Sequence, residues 1–155
     1  MMEIIQAETE QQIAEAKVIF REYETWLGMS LCFQGFEEEL AGLPGKYAPP
    51  NGRLYLAYSG DEVIGCIAMR EIETGICEMK RLYLREAARG KGVGNQLIEL
   101  VIRVAKSMGY EKMRLDTYPS KMGKAVDLYR SHGFYEIPRY YDNPGDDVLF
   151  MEKTL

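Results

Sequence analysis

The sequence is short of most features that announce a function by composition. Its three cysteines, Cys32, Cys66 and Cys77, are odd in number and lack metal-ligand spacing, so no disulfide framework or zinc site is expected and free thiols in a reducing compartment are. No metal is expected. There is no basic surplus: the net charge is −5, which argues against a general DNA or RNA binder and for no nucleic-acid partner. No apolar run approaches the ~20 residues of a membrane span, so no membrane partner is expected. The opening "MMEIIQAETE" has neither a basic n-region nor an apolar h-region, which leaves a soluble, cytoplasmic protein as the expectation. Repeats, linkers and low-complexity tracts are missing as well. What remains is a chain of 155 residues, 46% hydrophobic, long enough for one domain over 1–155 with its own core.

Local signals then give an order of elements. "MEIIQAE" forms a first strand. Thr9 with Gln12 three residues on has the form of a capping box, ahead of an amphipathic helix that ends near Gly28. "FQGFEEELAGLPG" is a short second helix, and "YAPPNG" a rigid loop. Three strands follow in "RLYLAYSGDEVIGCIAMREIETGICEMKRLYL", with turns at Ser59-Gly60-Asp61 and Thr74-Gly75. "NQLIELVIRVAKSMGY" carries Leu97, Val101, Val104, Ala105 and Met108 on one helical face and closes on Gly109. "KMRLDTY" is a strand, "SKMGKAVDLYRSHGF" a helix, and "YEIPRYYDN" and "DVLFMEKTL" two last strands around a loop. The class is mixed α/β.

The stretch "ARGKGVGNQL" interrupts this pattern between a strand and a helix. It is not a dinucleotide fingerprint, because Asn95 and Leu97 stand where that spacing needs glycine. It is not a P-loop, because no Gly-Lys-Ser/Thr opens the helix. Gly90, Gly92 and Gly94 instead let the backbone come close to an anion, with the N–H groups of residues 90–95 free to face it and Arg89 and Lys91 at the rim. That suits a pyrophosphate.

Arg89-Gly90-Lys91-Gly92-Val93-Gly94 resembles the Q/R-x-x-G-x-G/A signature of the GNAT superfamily of N-acetyltransferases. "CEMKRLYLRE" is similar to that family's fourth strand and "DLYRSHGF" to its L-Y-x-x-x-G-F segment, so the resemblance covers roughly residues 50–155. It implies an α/β fold of the α+β type, with a mostly antiparallel central sheet of about six to seven strands, helices on both faces and splayed fourth and fifth strands. It implies acetyl-coenzyme A as co-substrate. The pyrophosphate is then held by Arg89, Gly90, Lys91, Gly92, Val93, Gly94 and Asn95, and the pantetheine arm by the main chain of Leu82, Tyr83 and Leu84, lying near Asp116 to Tyr118.

Acetyl transfer to an amine needs a deprotonated nitrogen, a polarised carbonyl and a proton for the departing thiolate. Deprotonating a lysine-like amine at pH 7 costs about 4–5 kcal/mol, work suited to a positioned carboxylate. Glu78 stands where relatives that acetylate lysine carry their base, although a pairing with Lys80 would weaken it. Tyr129 matches the family's tyrosine near the sulfur and is the expected acid. His132, the single histidine, is read as structural at a helix end, and Cys77 as facing away from Glu78.

The acceptor is a small-molecule or peptide amine, with Glu24, Trp26 and Tyr141 as candidate contacts because aromatics beside carboxylates hold cations. No motif separates a small amine, an amino acid, a polyamine, an antibiotic or a protein terminus. The expected function is direct acetyl transfer in a ternary complex; the other class that fits is a non-catalytic acyl-CoA-binding sensor or scaffold. An exposed edge at the C-terminal strands leaves room for a homodimer.

Overall fold

Helix α1 (Glu10–Leu27) begins at the capping box. Thr9 is extended, its side chain accepts from the Gln12 N–H, and the Gln12 side chain accepts from the Thr9 N–H. The helix stops at Gly28, which takes the left-handed conformation (φ 74°) that glycine reaches without strain. The computed structural model describes residues 2–155. The other helices are α2 (Phe36–Ala41), α3 (Val93–Ser107) and α4 (Pro119–Ser131). The strands are β1 (Met2–Gln6), β2 (Arg53–Ser59), β3 (Glu62–Glu73), β4 (Ile76–Leu84), β5 (Lys112–Thr117), β6 (Tyr135–Glu136) and β7 (Leu149–Thr154). Among the described residues, no helix is long and apolar enough to cross a membrane.

All seven strands join one sheet in the order β1-β2-β3-β4-β5-β7-β6. Every neighbouring pair is antiparallel except β4 with β5. Strand alternation sends side chains to two cores. Leu54, Leu56 and Tyr58 of β2 pack with α1 and α2, while Tyr55 and Ala57 pack with α3. Helices therefore cover both faces, as expected.

The parallel junction is what opens the sheet. Ile76–Glu78 pair with Lys112–Arg114, and beyond that point β4 and β5 share no register. Leu115, Asp116 and Thr117 stay bonded to β7 on their other side. The divergence coincides with a bulge in β4, where the register against β3 slips and Arg81 takes φ +61° without being glycine. The bulge also shifts the alternation: Glu78 and Lys80 share a face, but the next residue on the α1–α2 side is Tyr83, whereas Leu82 joins the α3 core.

One expected element is shorter than read. "YEIPRYYDN" gives a strand of only Tyr135–Glu136. Ile137 adds one N–H bond to the Phe150 carbonyl, and Pro138 then ends the ladder because it has no N–H to give. The following tyrosines leave the sheet and turn inward.

Candidate active site

The splay between β4 and β5 opens a cleft bordered by Lys80, Arg81, Leu82, Asp116 and Tyr129 among others. At its outer end the chain leaves β4 for the glycine stretch and enters α3. Gly90 and Gly92 have φ of 76° and 79°, conformations that favour glycine. Gly94 lies inside α3, where an added Cβ would come within 3.3 Å of Leu84 Cδ1.

The first protein bond inside this segment is from Gln96 N–H to the Gly92 carbonyl; the N–H groups of residues 90–95 have no acceptor among the described residues. Six consecutive N–H groups at and just before the start of a 15-residue helix are thus left free, as anion-binding helix N-termini require. The Leu84 carbonyl beside them accepts from Arg89 Nε at 3.1 Å. The Asn95 side chain is held by the end of α4: its Oδ1 is 2.7 Å from His132 Nε2, and since that oxygen only accepts, the imidazole nitrogen carries the proton. His132 thus fastens α4 to the head of α3.

Tyr129 reaches the cleft from α4. Its ring is buried against Phe134, with centroids 5.8 Å apart. The residue borders the cleft, and its hydroxyl makes no hydrogen bond to the described residues. Burial, with a smaller contribution from nearby Asp116, pushes its pKa well above that of an ordinary tyrosine. It stays protonated at any working pH and presents an O–H to whatever negative charge develops beside it.

Glu78 is differently placed from its sequence expectation as a base. It does not border the cleft, and its side chain is 1% exposed. Arg70 Nε lies 3.0 Å from Oε1, Tyr140 donates to Oε2 at 2.6 Å, and Lys80 Nζ stands 3.8 Å away. Burial alone would raise its pKa, but Lys80, Arg70 and the tyrosine outweigh burial and hold the carboxyl below the usual range. A carboxylate so held is a poor proton acceptor. The pairing was readable in outline, because a turn at Thr74-Gly75 brings Arg70 opposite Glu78 in the β3–β4 register.

The carboxylate that does border the cleft is Asp116. Its Oδ2 accepts from Tyr141 Oη and from Asn143 Nδ2, the latter at 3.0 Å, whereas Oδ1 has no partner among the described residues. Asn143, 1% exposed, also donates to Tyr118 and Tyr141 and fixes the loop after β6 against the site. On the opposite wall, Arg81 makes a two-point bond with Glu39, both contacts at 2.9 Å, and a third to Gln34 Oε1 at 2.8 Å. Gln34 also accepts from Lys80 at 3.1 Å and donates to Tyr141 at 2.9 Å. Sequence reasoning named none of Gln34, Arg81 and Asn143, and it read Asp116 only as lying near the pantetheine arm and Lys80 only as a partner of Glu78.

The three candidate acceptor contacts separate. Tyr141 does not itself border the cleft but hydrogen-bonds Gln34 and Asp116, which do. Glu24 is occupied elsewhere: it accepts the Leu31 N–H at 2.9 Å and pairs with Arg21 at 3.0 Å, holding the turn after α1, and it does not border the cleft. Trp26 stands nearer the glycine stretch, with the Arg89 guanidinium 5.3 Å and the Lys121 ammonium 5.2 Å from its ring centre. It packs on Tyr83 at 5.7 Å, so it touches residues expected to serve the donor rather than the acceptor.

Residues 15–134 match the acetyltransferase (GNAT) family. An uncharacterised N-acetyltransferase of Schizosaccharomyces pombe is 38% identical over 149 residues, spanning 94% of this chain and 90% of that one. A GNAT-family acetyltransferase from Staphylococcus aureus has the same fold, with a TM-score of 0.81, 19% identity and 99% of both chains covered. The PaiA N-acetyltransferase of Thermoplasma acidophilum, solved in complex with coenzyme A, superposes with a TM-score of 0.74 at 19% identity over 100% of this chain and 99% of that one.

Proposed function

The chain belongs to the acetyltransferase (GNAT) family and is an acyltransferase, and we propose that it moves the acetyl group of acetyl-coenzyme A directly onto a primary amine bound in the same cleft. The observation that carries this reading is the run of six unpartnered N–H groups at residues 90–95, beside the open edge of β4. They would hold the donor's pyrophosphate, with Arg89 and Lys91 adding positive charge, and the main chain of Leu82, Tyr83 and Leu84 would align its amide-bearing arm.

In this scheme the amine nitrogen attacks the thioester carbonyl carbon; the C–N bond forms and the C–S bond breaks. The nitrogen becomes acidic as the new bond forms, and Asp116 Oδ1 is the free carboxylate oxygen placed to take its proton. The departing sulfur gains electron density and draws on the Tyr129 O–H. Glu78 keeps Lys80 in place and touches no reacting atom.

A titration with acetyl-coenzyme A tests the donor assignment. At a ligand concentration about a hundred times Kd, binding adds about 2.7 kcal/mol, a Tm rise of roughly 5–10 °C for a domain of this size. Trp26 is the one tryptophan and lies against Arg89, so its fluorescence should change saturably over the same range. No Tm rise and no fluorescence change would remove the donor assignment.

A further inference from the structure

The two walls of the cleft carry opposite, unmet electrostatic demands. On the β3–β4–α2 side stand three cations, Arg70, Lys80 and Arg81, and two carboxylates, Glu39 and Glu78. Arg81 is satisfied by Glu39 and Gln34, and Arg70 by Glu78. Lys80 is not: its ammonium has three protons to give, makes one hydrogen bond, to Gln34, and stands 3.8 Å from Glu78, beyond hydrogen-bond reach. Its side chain is only 6% exposed, so water offers little to the two protons left over, and a buried donor without an acceptor is costly even with Glu78 as its counterion. Burial works against the Lys80 charge, and Glu78 offsets only part of that. Across the cleft, Asp116 leaves Oδ1 unbonded.

A one-way hydrogen-bond chain joins these two ends. Lys80 and Arg81 only donate, so Gln34 must turn its carbonyl to them and its amide to Tyr141; Asp116 only accepts, so Tyr141 must donate to it. The cleft therefore offers a fixed cation on one side and a fixed anion on the other, with Tyr129 on the same lining.

We propose that the acceptor is a free amino acid, bound with its carboxylate on Lys80 and its amine on Asp116. This assignment rests on the acetyl-transfer reading above. A polyamine would bring a second cation to the Lys80 side. A peptide N-terminus has no carboxylate near its amine. A simple amine would leave two of the buried Lys80 protons without an acceptor.

Thiol release from acetyl-coenzyme A is measured with the twenty standard amino acids and with decarboxylated counterparts of several: tyramine, phenethylamine, isoamylamine and cadaverine. Carboxylate-free amines should fall about a hundredfold or more in kcat/KM below the matching amino acids, since a site built around a polar group rejects analogues that lack it. Lys80→Met should bring each pair to within about threefold. Acetylation of the amines as well as of the amino acids, no acetylation of any amino acid, or an unchanged preference in Lys80→Met would each overturn the proposal. The wild-type comparison decides the matter even if the variant does not fold. The Trp26 titration keeps the two readings apart: with donor binding intact, any of these failures removes only the acceptor assignment, whereas absent donor binding removes the acetyl-transfer reading itself.

Discussion

Tyr129→Phe should leave the affinity for acetyl-coenzyme A within about twofold of wild type and lower kcat by two to three orders of magnitude. The two effects separate because the ring and the hydroxyl do different work. The ring fills the α3 core against Phe134, and phenylalanine fills it equally well. The hydroxyl makes no bond to the described residues, so its loss orphans no protein partner and costs little stability. What is lost is a donor beside the charge that develops on sulfur. Because burial and Asp116 raise the Tyr129 pKa, wild type should show no loss of activity from its ionisation as pH rises through the ordinary tyrosine range near 10. The variant should be slower by a similar factor across the pH profile. A kcat within about threefold of wild type, under conditions where chemistry limits turnover, would take Tyr129 out of the reaction; a binding module that only senses acyl-coenzyme A would likewise be indifferent to the change.

Local chemistry explains how much of this was legible in advance. The Thr9–Gln12 capping box, the left-handed Gly28 and the hairpin turn at Thr74-Gly75 are each set within a few residues, and each appears where the sequence places it. The glycine stretch is legible for the same reason: its donors depend on backbone conformation and on the start of α3, both written locally. Arg81 is not legible, because nothing about an arginine announces φ +61°; the bulge sits where β4 leaves β5, and the guanidinium is anchored on Glu39, 42 positions away. The acceptor side was hidden for a further reason. Gln34 and Tyr141 are 107 positions apart, and Tyr140 and Glu78 are 62 apart, so only the folded chain joins them. Glu24 and Trp26 share a helix end, yet one holds the next turn while the other lies between Arg89 and Lys121. Adjacency in sequence there carried no information about shared purpose.

Glu78→Gln should destabilise the protein by about 3 kcal/mol, lowering Tm by roughly 6–12 °C. The substitution keeps the shape of the side chain but removes the charge that compensates Lys80 and Arg70, leaving the more deeply buried cation, Lys80, without a counterion. The pH dependence has a definite sign. The folded-state pKa of Glu78 lies below its unfolded value near 4.5, so its stabilising contribution is complete above that pH and is lost as pH falls through the folded value. The gap in stability between wild type and Glu78→Gln should therefore be full at neutral pH and close progressively below pH 4.5. Adding Lys80→Met should recover much of the loss, because the buried cation leaves with its partner while Arg70 is 29% exposed and can reach water. Thermal melts of the two single variants and the double variant between pH 3 and 8 give both the coupling and its pH dependence. A general base in the same place would behave in the opposite way: Glu78→Gln would keep its Tm and lose the acidic limb of the kcat profile. A stable variant with that kinetic defect would return Glu78 to the reaction and leave Asp116 without the proton-accepting role.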